Sequence, residues 1–289
     1  MKNVVLKVGS RGNEVKILQS LLQKFGFDTV VDGIFGPKTE DIVMDFQESR
    51  GLPSDGIVGK ITWDKLQETS TDVIINDQKY VLTTKNYYDE PQFKKSIVLH
   101  HTAGWVVQKR NPKLASMNHF HWWTSTDKHV STAFSIDYYG NIYQHFDPKH
   151  WAYHLGVGKS ILDRQSIGIE LTNEGGLKKK DNGKFVWFSG KIELPYIREN
   201  DEPVYVEGGW RGYDYFAPYS KQQHESTLKL VKYLCDKFNI SKNFIDNCNY
   251  DPNVLEESFK GIYNHANVRT KGKWDLSPAF PFQWFKENL

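Results

Sequence analysis

The chain has 289 residues, more than one compact domain usually holds, so its length predicts two domains or one enlarged by insertions. Hydrophobic residues make up 39% and charged residues 25%, a balance that argues against long disordered segments. Lysine and arginine total 37 against 35 acidic residues, so no basic surface for nucleic acid is expected. A membrane-spanning helix needs about 20 apolar residues, and no apolar run in the sequence approaches that length.

Residues 1–67 have the pattern of a small helical domain. Apolar residues recur at helical spacing in three segments, which begin near Val15, after Pro37 and near Trp63. Proline is favoured at the first position of a helix, where the missing N–H would have had no helical partner. The sequence therefore predicts a bundle of three helices.

A short motif occurs twice in this domain. Asp32-Gly-Ile-Phe-Gly-Pro-Lys-Thr39 recurs 23 residues later as Asp55-Gly-Ile-Val-Gly-Lys-Ile-Thr62, with five of eight positions identical. Asp-Gly favours a turn, and the second glycine of each copy is predicted to take a positive φ ahead of a helix. The domain contains no histidine, so it is either a packing unit or a binding module, and catalysis is not expected from it.

These residues resemble the peptidoglycan-binding domain found at the ends of many bacterial and phage cell-wall hydrolases. Besides the two Asp-Gly motifs, the matching segments are Leu6-Lys-Val-Gly-Ser-Arg-Gly12, Val15-x-x-Leu-Gln19 and Phe46-Gln47. The resemblance spans the whole segment. It implies attachment to bacterial peptidoglycan and no reaction.

The pattern changes after this domain. Residues 68–74 are polar and are interpreted as a linker to a second domain over 75–289. Residues 73–75 and 80–82 favour a hairpin at its start. Strands mixed with helices then predict an α/β domain, in which helices flank a mixed central sheet.

The elements of the α/β domain are predicted from local patterns. Apolar runs and alternating segments indicate strands at 97–99, 133–136, 141–144 and 166–171. A helix is expected over Pro112–Trp123. A longer helix is expected after Ser220, which with Gln223 is typical of a capping box.

Residues 175–218 have the character of an insertion. Asn182-Gly183, followed by Lys184-Phe-Val-Trp-Phe188, indicates a hairpin, and more aromatic residues follow it. Such a hairpin either lines a groove with its rings or shields the edge of a sheet. The pattern slightly favours shielding.

Three residues could bind a metal ion. His100 ends an apolar strand, and Asp275 follows His265 by ten residues. Two imidazoles and one carboxylate are an accepted ligand set for catalytic zinc, with a fourth position open for water. Because 165 positions separate the two histidines, and the chain has ten histidines, residue types alone leave open both a zinc site and an accidental set.

From about residue 92 the chain resembles the zinc-dependent N-acetylmuramoyl-L-alanine amidases, whose fold is shared with animal peptidoglycan recognition proteins. Ile97-Val-Leu-His-His-Thr-Ala-Gly104 is similar to their first zinc-ligand strand, and Ser166-Ile-Gly-Ile-Glu-Leu171 to the strand of the acidic catalytic residue. His265-Ala-Asn-Val-Arg269 and Lys273-Trp-Asp-Leu-Ser-Pro278 match the closing segment. The pieces occur in the family's order.

The resemblance implies a role for each matched position. His100, His265 and Asp275 correspond to the ligands of a Zn²⁺ cofactor. Glu170 corresponds to the residue that takes a proton from the attacking water and returns it to the leaving amine. Lys273 corresponds to a catalytic lysine that stabilises the oxyanion.

Three further residues are candidates for substrate contacts. His154 and Trp151 lie in Trp151-Ala-Tyr-His-Leu-Gly156, which resembles a segment lining the family's substrate groove, although His154 could equally be a surface histidine. His101 competes with His100 for the ligand position, because alternation along a strand cannot say which of two neighbours faces the metal. The resemblance favours His100 and leaves His101 beside the site.

The expected function is hydrolysis of the amide bond between N-acetylmuramic acid and the L-alanine of the peptidoglycan stem peptide. Two alternatives remain: a protein that binds peptidoglycan without cutting it, and a zinc endopeptidase that cuts within the stem. No signal peptide is evident and membrane insertion is not expected, which suggests a phage lysin or a virion component that acts at the cell wall. The protein is expected to be a monomer.

Overall fold

The computed structural model describes most of the chain, namely residues 4–25, 27, 29–50, 52–67, 73–108, 111–198 and 201–289. The chain divides into two compact units, Met1–Lys79 and Tyr80–Leu289. Residues 68–72 of the predicted linker lie outside the described residues. The domain boundaries expected at 67 and 75 remain predictions.

The first unit contains the three predicted helices, α1 (Asn13–Lys24), α2 (Pro37–Ser49) and α3 (Lys60–Gln67), followed by the short strand β1 (Ile75–Asn76). Proline stands at the start of α2, as predicted. The helices and the turns between them share one apolar core of buried side chains: Leu6, Val15, Leu18, Leu22, Phe35, Ile42, Val43, Phe46, Val58, Trp63 and Leu66.

A buried glutamine holds each of the two Asp-Gly turns in the same way. Gln19 donates from Nε2 to Oδ1 of Asp32 and accepts the N–H of Gly33 at Oε1, both at 2.8 Å. Gln47 makes the equivalent bonds to the Asp-Gly pair at 55–56, at 2.8 and 2.9 Å. The repeated motif is therefore a repeated hydrogen-bonded clip between a helix and a turn.

The structure corrects the prediction for the glycines of this motif. The first glycine of each copy takes the positive φ, 78° at Gly33 and 70° at Gly56, whereas Gly36 has a φ of −96°. The reason is that the chain reverses at the Asp-Gly step, where Oδ1 of Asp32 accepts the N–H of Ile34 at 2.8 Å. Gly36 is then extended as the residue that precedes α2.

The central sheet of the second unit contains five of that unit's strands: β2 (Ser96–His101), β5 (Phe134–Ile136), β6 (Ile142–Gln144), β7 (Ser166–Leu171) and β13 (Gly261–Asn264). They lie in the order β6, β5, β7, β2, β13. Neighbours from β5 to β13 are parallel, and β6 is antiparallel to β5. The carboxyl ends of the parallel strands therefore meet at one edge, where α/β proteins usually bind ligands.

Helices cover this sheet: α4 (Asn118–Thr124), α5 (Ser160–Arg164), α6 (Lys221–Phe238), α7 (His265–Val268) and α8 (Phe282–Asn288). Val98 of β2 packs in one cluster with Leu162 of α5, Tyr263 of β13 and Val268 of α7. Because side chains alternate along a strand, His100 shares the face of Val98. Helices α5 and α7 therefore pack on the face of the sheet that carries His100.

The long helix α6 begins at the predicted residue. Oγ of Ser220 accepts the N–H of Gln223 at 3.1 Å. The reciprocal half of the predicted capping box is replaced, because Nε2 of Gln223 donates to the carbonyls of Ile136 and Thr172 at 3.1 and 2.9 Å. The glutamine thus fastens the helix to the sheet.

The predicted helix over Pro112–Trp123 is wrong in its first part. Asn111–Ala115 forms the strand β4, antiparallel to β3 (Val107–Gln108), and α4 begins only at Asn118. The strand pair extends past β4, since the N–H of Ser116 donates to the carbonyl of Val106 at 2.8 Å. This cross-strand pairing outweighs the local helical pattern.

The predicted hairpin of residues 73–75 and 80–82 is also wrong, because residues 80–82 form no strand. Tyr80 has a φ of 63°, which breaks the extended conformation. The N–H of Leu82 instead donates to the carbonyl of His145 at 2.8 Å.

The range 176–216, inside the predicted insertion, forms a second, antiparallel sheet of five strands: β8 (Gly176–Lys179), β9 (Phe185–Ser189), β10 (Ile192–Pro195), β11 (Val204–Trp210) and β12 (Tyr213–Phe216). The predicted turn at Asn182-Gly183 joins β8 to β9, with a φ of 81° at Gly183. Trp187 is buried with Leu177 and Ala217 in a separate core. Among the described residues, no helix has the length and apolarity to cross a membrane.

The glutamine clips predict that Gln47→Ala destabilises the first unit by about 1–3 kcal/mol, because the buried Gly56 N–H loses its acceptor. We expect amide hydrogen exchange in α1–α3 of the full chain to accelerate about tenfold. Asp41→Ala is the control, since it removes an exposed side chain from the same helix. Equal exchange rates in the two variants would show that the clip contributes nothing.

Candidate metal centre

The fold brings the three predicted ligands to one edge of the central sheet. His100 is the second-last residue of β2, and His265 begins α7 directly after the neighbouring strand β13. A capping box fixes that turn, because Asn264 and Asn267 each accept a backbone N–H with their side chains. Asp275 comes from the loop before α8, and its carbonyl accepts the N–H of Ala266 at 2.6 Å.

One atom from each predicted ligand forms a small triangle. Nδ1 of His100 lies 2.9 Å from Nδ1 of His265 and 3.2 Å from Oδ2 of Asp275, and the third side measures 3.1 Å. All three residues are buried, with 3%, 1% and 5% of their surface exposed. The set can therefore hold a metal ion away from bulk water.

The hydrogen bond from His265 to Leu155 shows which ring nitrogen of His265 carries a proton. Nε2 of His265 lies 2.7 Å from the carbonyl oxygen of Leu155, which can only accept, so Nε2 carries the proton. In the neutral tautomer of this ring, Nδ1 is an unprotonated lone pair aimed at the carboxylate of Asp275. Buried acceptors that face one another repel unless a cation lies between them.

The distances fit a small divalent cation. A tetrahedral zinc site with bonds of about 2.0–2.1 Å separates its ligand atoms by roughly 3.3 Å, close to the three sides found here. Burial lowers the pKa of His100 to about 4, so this imidazole is neutral and able to ligate at neutral pH.

Glu170 lies on the neighbouring strand at the level of this triangle. It pairs in register with His100, so the two side chains project from the same face of the sheet. Burial, together with the smaller effect of the charge of Asp275, raises the pKa of Glu170 to about 8, and the charge of Lys273 opposes both. Lys273 is half-buried two residues before Asp275. The two predicted catalytic residues are therefore within electrostatic reach of each other.

The predicted substrate residues have other contacts in the structure. Trp151 is 2% exposed, packed against the ring of Tyr88 and the guanidinium of Arg164, which leaves little of its ring for a sugar. His101 is buried, and its Nδ1 lies 2.7 Å from the hydroxyl of Tyr219. Both side chains are engaged within the protein, and their roles as substrate contacts stay predictions.

His154 is half-buried and engaged at both ring nitrogens. Nδ1 lies 2.9 Å from Nε2 of His100, and Nε2 lies 2.9 Å from Oγ of Ser166. In this arrangement the ring contacts His100, and both of its nitrogens are already engaged. Its role as a substrate contact stays a prediction.

Arg211 is a site residue that the sequence analysis missed. It lies between β11 and β12, and its guanidinium donates to the carbonyls of Lys273, Ala266 and Arg269. In return Trp274 donates from Nε1 to the carbonyl of Arg211 at 3.0 Å. No local pattern marks such a residue, because these partners lie 55 to 63 positions away.

Two family models match the chain. The model described as N-acetylmuramoyl-L-alanine amidase matches residues 90–278, and a model described as a peptidoglycan binding domain matches residues 11–66. Among solved structures, the N-acetylmuramoyl-L-alanine amidase LysC from Clostridium intestinale URNW aligns with 16% identity and a TM-score of 0.40. That alignment covers 74% of this chain and 95% of LysC.

Curated relatives match shorter stretches. An uncharacterised protein of Kitasatospora aureofaciens is 45% identical over 71 residues, covering 23% of this chain and 58% of that protein. The zinc D-Ala-D-Ala carboxypeptidase of Streptomyces albus G is 37% identical over 70 residues, covering 23% of this chain and 28% of that enzyme. The chain therefore spans less than two thirds of the length of either relative.

The triangle of acceptors predicts opposite effects of Asp275→Asn on the metal-free and metal-loaded chain. The amide can donate to an imidazole lone pair, so the metal-free variant should melt at or above the wild-type temperature. With Zn²⁺ as the probe at about a hundred times its Kd, the wild type should gain about 2.7 kcal/mol and the variant almost nothing. Differential scanning calorimetry, with and without chelator, measures both effects.

Asp127→Asn is the matched control, because it removes an equal charge from an exposed position. This control should show the full gain on adding Zn²⁺. An equal gain in Asp275→Asn would mean that the carboxylate is not a ligand.

Proposed function

Because the chain belongs to the N-acetylmuramoyl-L-alanine amidase family, we propose that it hydrolyses the amide bond between N-acetylmuramic acid and the stem peptide's L-alanine in bacterial peptidoglycan. The observation that carries this proposal is the buried triangle of His100, His265 and Asp275, with Glu170 and Lys273 beside it. A protein that only bound the polymer would not need three buried acceptors aimed at one point.

We infer that the cation is zinc, held by the two imidazoles and the aspartate. Neutral imidazole and carboxylate are typical ligands of catalytic zinc, whose fourth position stays open. When bound, zinc supplies a Lewis acid and lowers the pKa of a water molecule to about 7.

Glu170 serves as the proton shuttle in this proposal. It takes a proton from the attacking water and delivers it to the nitrogen of the departing L-alanine, so no covalent intermediate with the protein forms. A pKa of about 8 places the carboxyl group near neutrality, where it can act first as a base and then as an acid.

Lys273 stabilises the charge that develops on the scissile carbonyl oxygen. Its ammonium lies close enough to affect the pKa of both Glu170 and His100. A fixed cation at this position is worth more in a water-poor site than it would be in bulk water. Arg211 helps to fix it, because the carbonyl of Lys273 accepts from the guanidinium.

The first unit tethers the enzyme to its substrate in this proposal. The support is the match of residues 11–66 to the peptidoglycan binding domain. A tether raises the effective concentration of the bonds to be cut without adding contacts in the catalytic site.

The products of wall digestion test the reaction. Mass spectrometry of a wall digest should show intact stem peptides with a free L-alanine amine, because the proposed bond lies at the start of the stem. Glu170→Gln should lose about 10²–10⁴-fold in rate while it still binds zinc and wall, since only proton transfer is removed. Glu207→Gln, on the exposed strand β11, is the control and should keep its rate.

Shorter peptides in the digest would identify an endopeptidase instead. Wall binding without any product would identify a recognition protein. A near-normal rate in Glu170→Gln would remove that residue from the mechanism.

The tether predicts a difference between soluble and insoluble substrates. A chain that lacks residues 1–67 should cut soluble muropeptides at the wild-type rate, because its metal centre lies within the second unit. It should sediment with purified wall much less than the full chain does, and circular dichroism should verify that it is folded. Equal sedimentation of the two proteins would refute the tether.

A further inference from the structure

Two adjacent residues, His154 and Leu155, contact the Nε2 atoms of the two proposed imidazole ligands. The carbonyl of Leu155 accepts from Nε2 of His265, and Nδ1 of His154 contacts Nε2 of His100. Oδ1 of the buried Asp163 accepts both of their backbone N–H groups, at 2.8 and 2.9 Å. This short segment is therefore fixed in place where it meets the ligands.

The directions of the hydrogen bonds that join Ser166, His154 and His100 can be assigned in that order. Oγ of Ser166 lies 2.6 Å from the carbonyl of Leu162, which can only accept, so the single hydroxyl proton points there. Nε2 of His154, at 2.9 Å from the same Oγ, must then be the donor. A neutral imidazole carries one N–H, so Nδ1 of His154 is an acceptor.

The hydrogen bond between His154 and His100 determines the tautomer of His100. Since Nδ1 of His154 is an acceptor, Nε2 of His100 donates to it at 2.9 Å. Nδ1 of His100 is then unprotonated and faces His265 and Asp275 across 2.9 and 3.2 Å. The chain of bonds thus selects the tautomer that can bind a metal.

We propose that Ser166 and His154 form a relay that holds His100 in its metal-binding tautomer, which makes His154 a positioning residue rather than a substrate contact. The inference rests on the proposed function, because it assumes that the triangle binds a metal. It goes further because it names Ser166 and His154 as the residues that set the tautomer of His100. Without the relay, the proton of His100 can move to Nδ1, and a metal would have to displace it.

A second serine-histidine pair in the same unit supplies a matched control. Oγ of Ser135 lies 2.7 Å from Nε2 of His145, whose Nδ1 lies 2.7 Å from the carbonyl of Tyr80. Both members are fully buried, but neither ring nitrogen of His145 contacts a ligand of the triangle. Removing the Ser135 hydroxyl therefore breaks a similar buried hydrogen bond and leaves Ser166, His154 and His100 unchanged.

The test measures the zinc affinity of the full chain by competition with a chelator. Ser166→Ala and His154→Phe should weaken binding about 10–100-fold, the usual cost of losing an outer partner of a ligand. His154→Asn should stay closer to wild type than His154→Phe, because its amide oxygen can accept from Nε2 of His100. Ser135→Ala should keep the wild-type affinity, even if its melting temperature falls.

Nitrogen NMR of the metal-free chain provides a second readout, which remains informative if His154→Phe does not fold. The ring proton of His100 should be on Nε2 in the wild type and should shift toward Nδ1 in Ser166→Ala. Wild-type zinc affinity in Ser166→Ala, or a proton on Nδ1 of His100 in the wild type, would overturn the relay. A wild type that binds no zinc would instead refute the metal in the proposed function, while the NMR result would still report on the relay.

Discussion

The second unit is organised around one electrostatic constraint, the convergence of three buried acceptors on a single point. In the tautomers set by their outer hydrogen bonds, His100 and His265 face Asp275 with acceptor atoms, and the three facing atoms lie within 2.9–3.2 Å of one another. Such a set is unfavourable by itself, so the surrounding structure must hold it together until a cation compensates the repulsion. The parallel sheet does part of this, because adjacent strands deliver the two imidazoles to the same edge.

The rest of the support comes from segments that are distant in sequence. Asp163 fixes residues 154–155, which in turn orient both imidazoles. From the second sheet, Arg211 binds carbonyls on the segment that carries His265 and Asp275. The range 175–218 is therefore more than a cover for a sheet edge, since one of its turns is fastened to the ligand-bearing loops. Outer partners of this kind commonly determine metal affinity.

The sequence predicted what local patterns and motifs encode. The three helices of the first unit, the turn at Asn182-Gly183 and the start of α6 at Ser220 follow from spacing and turn chemistry, and the structure confirms them. The strand at Asn111–Ala115 was missed because its conformation depends on pairing with β3. The contact of His154 with His100 and the contacts of Arg211 were missed for a similar reason, since hydrogen-bond partners 54 or more positions away leave no periodic signal.

The two carboxylates near the triangle lie in different surroundings. Asp275 lies 3.2 and 3.1 Å from the facing nitrogens of His100 and His265, a position suited to sharing a cation with them. Burial together with the charge of Asp275 raises the pKa of Glu170 to about 8. Because a proton shuttle must be able to hold and release a proton near neutrality, only Glu170 suits that role. The charge of Asp275 thus contributes to the raised pKa of Glu170 that the proposed proton shuttle requires.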